Sequence, residues 1–117
     1  MATRSMLLLL LLAAAGAGRA GAATSFQLTL VNGGRHTFSA ANVSPGQSSG
    51  WGSNLLAAPL GPQRQVTVTV SGDCGQYDVR FDAEKGTRLH EEGLALCDGD
   101  TLTIGDRTVT HTKASAP

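Results

Sequence analysis

The chain has 117 residues with 9 Lys plus Arg against 9 Asp plus Glu, 41% hydrophobic residues and two cysteines. That length allows one small domain after any leader is removed, and a balanced charge without basic runs excludes a phosphate-neutralising nucleic-acid surface. No basic amphipathic helix is present either, which removes a membrane-surface role.

At the N-terminus, Arg4, the apolar block Leu7 to Leu12, an alanine-rich continuation and the small residues Ala20 to Ala23 form the three parts of a secretory signal peptide. The apolar core of about ten residues falls short of the roughly 20 that span a membrane. Residues 1–23 are therefore expected to be cleaved, giving a secreted or periplasmic protein with no membrane attachment. About 94 residues remain, with 7 Lys plus Arg against 9 Asp plus Glu, because Arg4 and Arg19 leave with the signal. A domain of that size buries only a little over 60% of its unfolded surface. Export permits disulfides, and the sole cysteines are Cys74 and Cys97. A redox or metal pair is the alternative, but no C-x-x-C spacing or histidine cluster accompanies them. A Cys74–Cys97 bond is expected.

Downstream, strand periodicity dominates. Phe26, Leu28 and Leu30 alternate with Gln27 and Thr29, the period-2 pattern of a strand with one buried face. Asn32-Gly33-Gly34 reads as a hairpin turn, and a three-residue loop sets Leu28 opposite Phe38 and His36 beside Leu30 as a half-buried edge residue. The stretch from Val43 to Gln63 breaks the pattern and is the one long connection. It carries Gln47-Ser48-Ser49, the single Trp51, and Asn54-Leu55-Leu56. Long loops in compact domains are often functional. Ser53 or Asn54 is expected to N-cap one helical turn that buries Leu55 and Leu56 and stops at Pro59.

Val66, Val68 and Val70 form the clearest strand. After Cys74, the residues Tyr77, Val79 and Phe81 share one face, with Asp78, Arg80 and Asp82 on the other. Asp78 and Arg80 read as a solvated charge pair, the alternative being that Arg80 supports the Trp51 loop from below. Gly86 is expected in the left-handed position of a hairpin loop, and Gly93 at a bulge that reconciles the opposite parity of Leu89 and Leu94. Asp98-Gly99-Asp100 is a polar turn; two oxygen ligands without the rest of a Ca²⁺ loop do not make a metal site. Gly105-Asp106 suggests a two-residue turn with Leu102 opposite Val109 and Asp100 opposite His111. About seven short strands predict an all-β fold, a small antiparallel β-sandwich over residues 24–112, with a disordered tail at 113–117.

Val43-Ser44-Pro45, Trp51-Gly52 with Asn54-Leu55-Leu56, Cys74 with Tyr77-Asp78-Val79-Arg80, and Leu96-Cys97 resemble, in order and spacing, a family of small exported bacterial proteins of unassigned function. The likeness runs from about Val31 to Cys97. This chain departs in having Gly61-Pro62 where the family has Pro-Gly, and two residues between Cys74 and Tyr77 where it has one. The resemblance implies an exported, disulfide-bonded β-domain and carries no catalytic residues across.

The chain offers little reactive chemistry. The histidines lie on different predicted strands, no G-x-S-x-G elbow exists, and adjacent Glu91 and Glu92 point to opposite faces. No catalytic, cofactor-binding or metal residues are assigned. The expectation is a non-catalytic module that binds an unidentified protein or peptide through a loop formed by Gln47, Ser48, Ser49, Trp51 and Asn54, supported by Tyr77 and Arg80, or through an exposed sheet edge. A secreted hydrolase inhibitor, and after it a small hydrolase, are the alternatives.

Overall fold

The computed structural model describes residues 24–46 and 50–114. The signal-peptide reading of 1–23 and the loop tip Gln47 to Ser49 lie outside the described residues. Seven strands form: β1 (Ser25–Asn32), β2 (Phe38–Pro45), β3 (Gln65–Ser71), β4 (Gly75–Ala83), β5 (Arg88–Leu96), β6 (Asp100–Ile104) and β7 (Val109–Thr112). They build two sheets, ordered β3-β1-β6-β7 and β2-β4-β5. Alternating apolar side chains from both sheets meet between them, including Leu28, Leu102 and Ile104 from the first and Val79 and Phe81 from the second. Phe26 on β1 reaches across to Tyr77 on β4, ring centroids 5.7 Å apart. Each such fully buried aliphatic or aromatic side chain is worth about 1.5–3 kcal/mol. The all-β sandwich expected from periodicity is the observed fold.

The connectivity differs from the expected hairpins in three places. First, β1 and β2 do not pair: β1 lies antiparallel to β3, with Leu28 across from Val68, and parallel to β6, with Leu30 across from Leu102. One sheet is thus mixed, where purely antiparallel pairing was expected. The cause is Asn32, fully buried, whose Nδ2 donates to the carbonyls of His36 at 2.7 Å and Leu60 at 3.0 Å while its Oδ1 accepts the Gly34 N–H. These bonds turn residues 33–37 into a crossover between sheets. His36 is half-buried in that crossover and does not flank Leu30 in a ladder. Second, the β6–β7 turn centres on Asp106-Arg107, closed by Gly105 N donating to Thr108 O at 2.8 Å, so Leu102 faces His111 and Ile104 faces Val109. Third, residues 51–56 form no helical turn.

The β4–β5 hairpin follows expectation. Gly86 has φ 94° in the loop, and Phe81 stands opposite Leu89. Gly93 has φ 68° at a register shift between the Tyr77–Leu94 and Val79–Glu91 pairs, a bulge that puts Glu92 and Gly93 across from Asp78 alone. A left-handed backbone there is open to glycine at little cost. The Cys74–Cys97 disulfide joins the β3–β4 connection to the β5–β6 connection.

Candidate functional site

Residues 50–60 run back along β2, antiparallel to it, and cover its outer edge. Gly52 N donates to Val43 O at 3.0 Å, Leu55 N to Ala41 O at 2.8 Å, and Leu60 and Phe38 exchange both backbone bonds. Asn54 supplies with its side chain what a strand would supply with its backbone. Its Oδ1 accepts from Ala41 N at 2.9 Å and its Nδ2 donates to Ser39 O at 3.0 Å. The same Oδ1 accepts from Leu56 N, the local bond expected of a cap, without a helix following. Asn42 and Ser44 project from β2 into this segment and bond to the carbonyls of Gly52 and Gly50. They are buried polar groups with partners.

Trp51 is half-buried on the outer face of the second sheet. The Arg80 guanidinium lies 4.6 Å from its ring centroid, and the His90 ring meets it edge-on at 5.5 Å. Arg80 therefore supports the Trp51 loop, and the expected Asp78–Arg80 charge pair is replaced by two separate contacts: Asp78 Oδ1 accepts the Gly93 N–H at 3.0 Å. A cation over an indole face contributes about 0.5–1 kcal/mol where exposed and about 2 where desolvated. Tyr77, also named as support, is buried with its hydroxyl donating to Asp73 O at 2.7 Å. Burial pushes its phenol above the usual value, with the Asp73 carboxylate adding to the rise.

Two clefts open on the side of the sandwich between β3 and the 50–60 segment. One, of about 420 Å³, lies among Trp51, Leu55, Val70 and Tyr77. The other, of about 500 Å³, lies among Ala58, Leu60, Arg64 and Val66. Val66 is the exposed large hydrophobic among the described residues. Sequence reasoning placed Trp51, Asn54, Tyr77 and Arg80 in one neighbourhood; in the structure Tyr77 lines the first cleft beside Trp51, Arg80 meets Trp51 from the other face of β4, and β3, the far wall of the cleft, was missed.

Asp100, read as part of a polar turn, is a buried carboxylate. It accepts from Cys97 N at 3.0 Å and Ala114 N at 2.8 Å, its Oδ2 stands 2.9 Å from His111 Nε2, and Lys113 Nζ lies at 3.4 Å. Lys113 also donates to Ala95 O. Lys113 and Ala114, expected in a disordered tail, are thereby fixed; residues 115–117 lie outside the described residues. Burial alone would raise the Asp100 pKa, but the His111, Ala114 and Cys97 hydrogen bonds and the Lys113 charge together hold it below the ordinary carboxylate value. A depressed folded-state pKa contributes stability that is complete above the unfolded value near 3.9 and is lost as pH falls through the folded one. Asp100→Asn is accordingly expected to cost about 2–3 kcal/mol at pH 7. In urea melts from pH 7 down to pH 2, the gap between wild type and variant should close below about pH 4; a gap independent of pH would contradict the assignment.

The fold is similar to that of a protein from Eubacterium rectale solved by NMR, with a TM-score of 0.54 and 14% identity over 79% of this chain and 90% of that one. No family model matches the sequence, and no curated protein matches it. That likeness bears on the fold alone; the small β-sandwich of seven strands with one disulfide is what this chain's own structure shows.

Proposed function

We propose that this domain is a non-catalytic interaction module of the exported space, and that it binds an extended peptide segment of a partner protein along the outer edge of β3. The observation that carries this reading is the contrast between β3 and the other sheet edges. An exposed edge is a template for another strand, and proteins blunt edges with charge, bulges, shortness or a covering segment. The β2 edge is covered by residues 50–60. β5 carries Arg88, His90, Glu91 and Glu92 and the Gly93 bulge. β7 has four residues. β3 runs for seven residues, Gln-Val-Thr-Val-Thr-Val-Ser, with no charge, proline or glycine.

Its free groups follow from the ladder. Gly72 N donates to Thr24 O and Asn32 N to Arg64 O at the two ends of the β1–β3 pair. Alternation between those ends turns the backbone groups of Val66, Val68 and Val70 toward β1 and those of Gln65, Thr67, Thr69 and Ser71 outward. A strand added there would lay alternate side chains over the two clefts. Val66 and Val70 stand four residues apart, about 13 Å at about 3.3 Å per residue, so the fitting partner carries apolar residues at i and i+4. Main-chain bonds would give affinity and the clefts specificity, as in other strand-addition complexes.

Thr67→Pro tests this directly, because it removes an outward N–H and leaves the bonds to β1 in place. The variant should fold, and its capture of partner from envelope extract should fall at least tenfold. Hydrogen exchange on the wild-type complex should show new protection at Gln65, Thr67, Thr69 and Ser71. Equal capture by the variant would refute the reading, and a self-associating wild type sensitive to the same substitution would identify the partner as a second copy.

A further inference from the structure

The outer face of β4 and β5, on the sheet opposite β3, holds a set of side chains outside the peptide groove. Asp78, His90 and Glu92 each present a nitrogen or oxygen ligand atom, all within 4.8 Å of one another. His90 Nε2 stands 3.8 Å from Glu92 Oε2. Two features of the chain produce this. His90 and Glu92 are two residues apart on one strand and so share a face. The β4–β5 register on the hairpin side, with Arg80 across from His90 and Val79 across from Glu91, extends to set Glu92 opposite Asp78, and the Gly93 bulge beside it absorbs the change to the Tyr77–Leu94 pairing.

Two members are already oriented. The Gly93 N–H fixes the Asp78 carboxylate at 3.0 Å, and a carboxylate retains further lone pairs when one oxygen accepts a hydrogen bond. The His90 ring is steered by its edge-on contact with Trp51. Metal sites depend on such outer contacts to aim their ligands.

We propose that Asp78, His90 and Glu92 form a surface site for a divalent transition-metal ion, with Zn²⁺ as the fitting species. One imidazole and two carboxylates supply borderline and hard donors with two negative charges. That mixture suits Zn²⁺, whereas Ca²⁺ and Mg²⁺ take oxygen ligands. Zinc bonds of about 2.0–2.2 Å put tetrahedral ligand atoms about 3.4 Å apart, so a set that lies within 4.8 Å needs to contract by up to about 1.4 Å. His90 and Glu92 are exposed side chains on a rigid hairpin and have the freedom to do so. Their exposure leaves the fourth position to water or to a donor from a partner. A positive charge adjoins the set: Arg80, across from His90 in the ladder, with its guanidinium stacked on Trp51. Its repulsion makes the site an exchangeable one rather than a tight structural one.

Trp51 is the only tryptophan and touches His90, so it reports occupancy. Titration calorimetry with ZnCl₂ should give one equivalent bound to the intact mature protein. Cu²⁺, which the same donors bind more strongly, should quench Trp51 emission. His90→Ala and Asp78→Asn should each weaken Zn²⁺ binding at least tenfold and abolish the quenching, while His36→Ala changes neither. Circular dichroism of each variant checks that the sandwich is intact, and Glu92→Gln, at an exposed side chain, serves if Asp78→Asn loosens the bulge. No heat with wild type, or heat and quenching unaltered in His90→Ala, would overturn the assignment.

Discussion

Replacing Cys74 and Cys97 together by alanine is expected to lower the unfolding free energy by about 2–5 kcal/mol. The cysteines are 23 residues apart, and the chain-entropy model credits a closed loop of that length with roughly 3 kcal/mol. Placement adds to that figure. The bond stands where the chain leaves one sheet through the β3–β4 connection and where it returns through the β5–β6 connection. Cutting it releases both crossings at the same end of the sandwich, next to the Asp100 network that bonds to Cys97 N. A small domain has only about 5–15 kcal/mol in total, so the double variant should be partly unfolded at 37 °C. Urea melts of oxidised wild type and the double variant measure the difference. A change under about 0.5 kcal/mol, the range of neutral surface substitutions, would mean that the two sheets hold together without the bond.

Trp51→Ala is expected to cost about 2–3 kcal/mol, less than the 3–5 of a fully buried aromatic because the indole is half-buried. Loss of area is one part of this. The other is that Arg80 Nε is buried with no hydrogen-bond partner, and the indole is what its guanidinium packs against. Removing the ring takes away the aromatic face on which that cation rests and frees the side chain from the position in which it holds the loop. Trp51→Phe should recover part of the loss, since a smaller ring keeps an aromatic face for the cation. A double-mutant cycle with Arg80→Met separates the pair from area alone and should give a coupling of about 0.5–1 kcal/mol. If Trp51→Ala leaves the denaturation midpoint unchanged, the tryptophan is held for recognition and not as an anchor.

The strands were legible where side-chain alternation is uninterrupted, as in Val66 to Val70 and Tyr77 to Phe81. Gly86 and Gly93 were legible because their surroundings demand a turn and a change of phase. Pairing was less so. Leu28 and Phe38 were matched as ladder partners because both are buried; they belong to different sheets, and the deciding group is the Asn32 side chain, which reads locally as a turn former. Asn54 misled in a similar way. Its bond to Leu56 N is the one a helix cap would make, but a single helical turn is costly to nucleate, and the bonds to Ala41 and Ser39 along β2 fix the segment as extended. The nearness of Asp78 to Glu92 could not be read from spacing along the chain, because the two lie on different strands and it depends on the register of the β4–β5 hairpin. Likewise, β3 was seen as a strand, but whether a strand lies at an edge is a property of the whole topology.

The placement of β1 governs how this chain can fold. Its neighbours in the sheet are β3 and β6, and the residue across from Leu28 in β6 is Asp100, about 70 positions further along. One of the two inner strands of the four-stranded sheet therefore remains half-paired until nearly the entire sequence is present. The β4–β5 hairpin, closed by a short loop, can assemble alone on a microsecond scale. A topology rich in such distant pairings belongs to the millisecond-to-second class of folders. During that wait β1 exposes an apolar face and β3 an uncharged edge, so recovery of native protein on dilution from denaturant should fall as protein concentration rises.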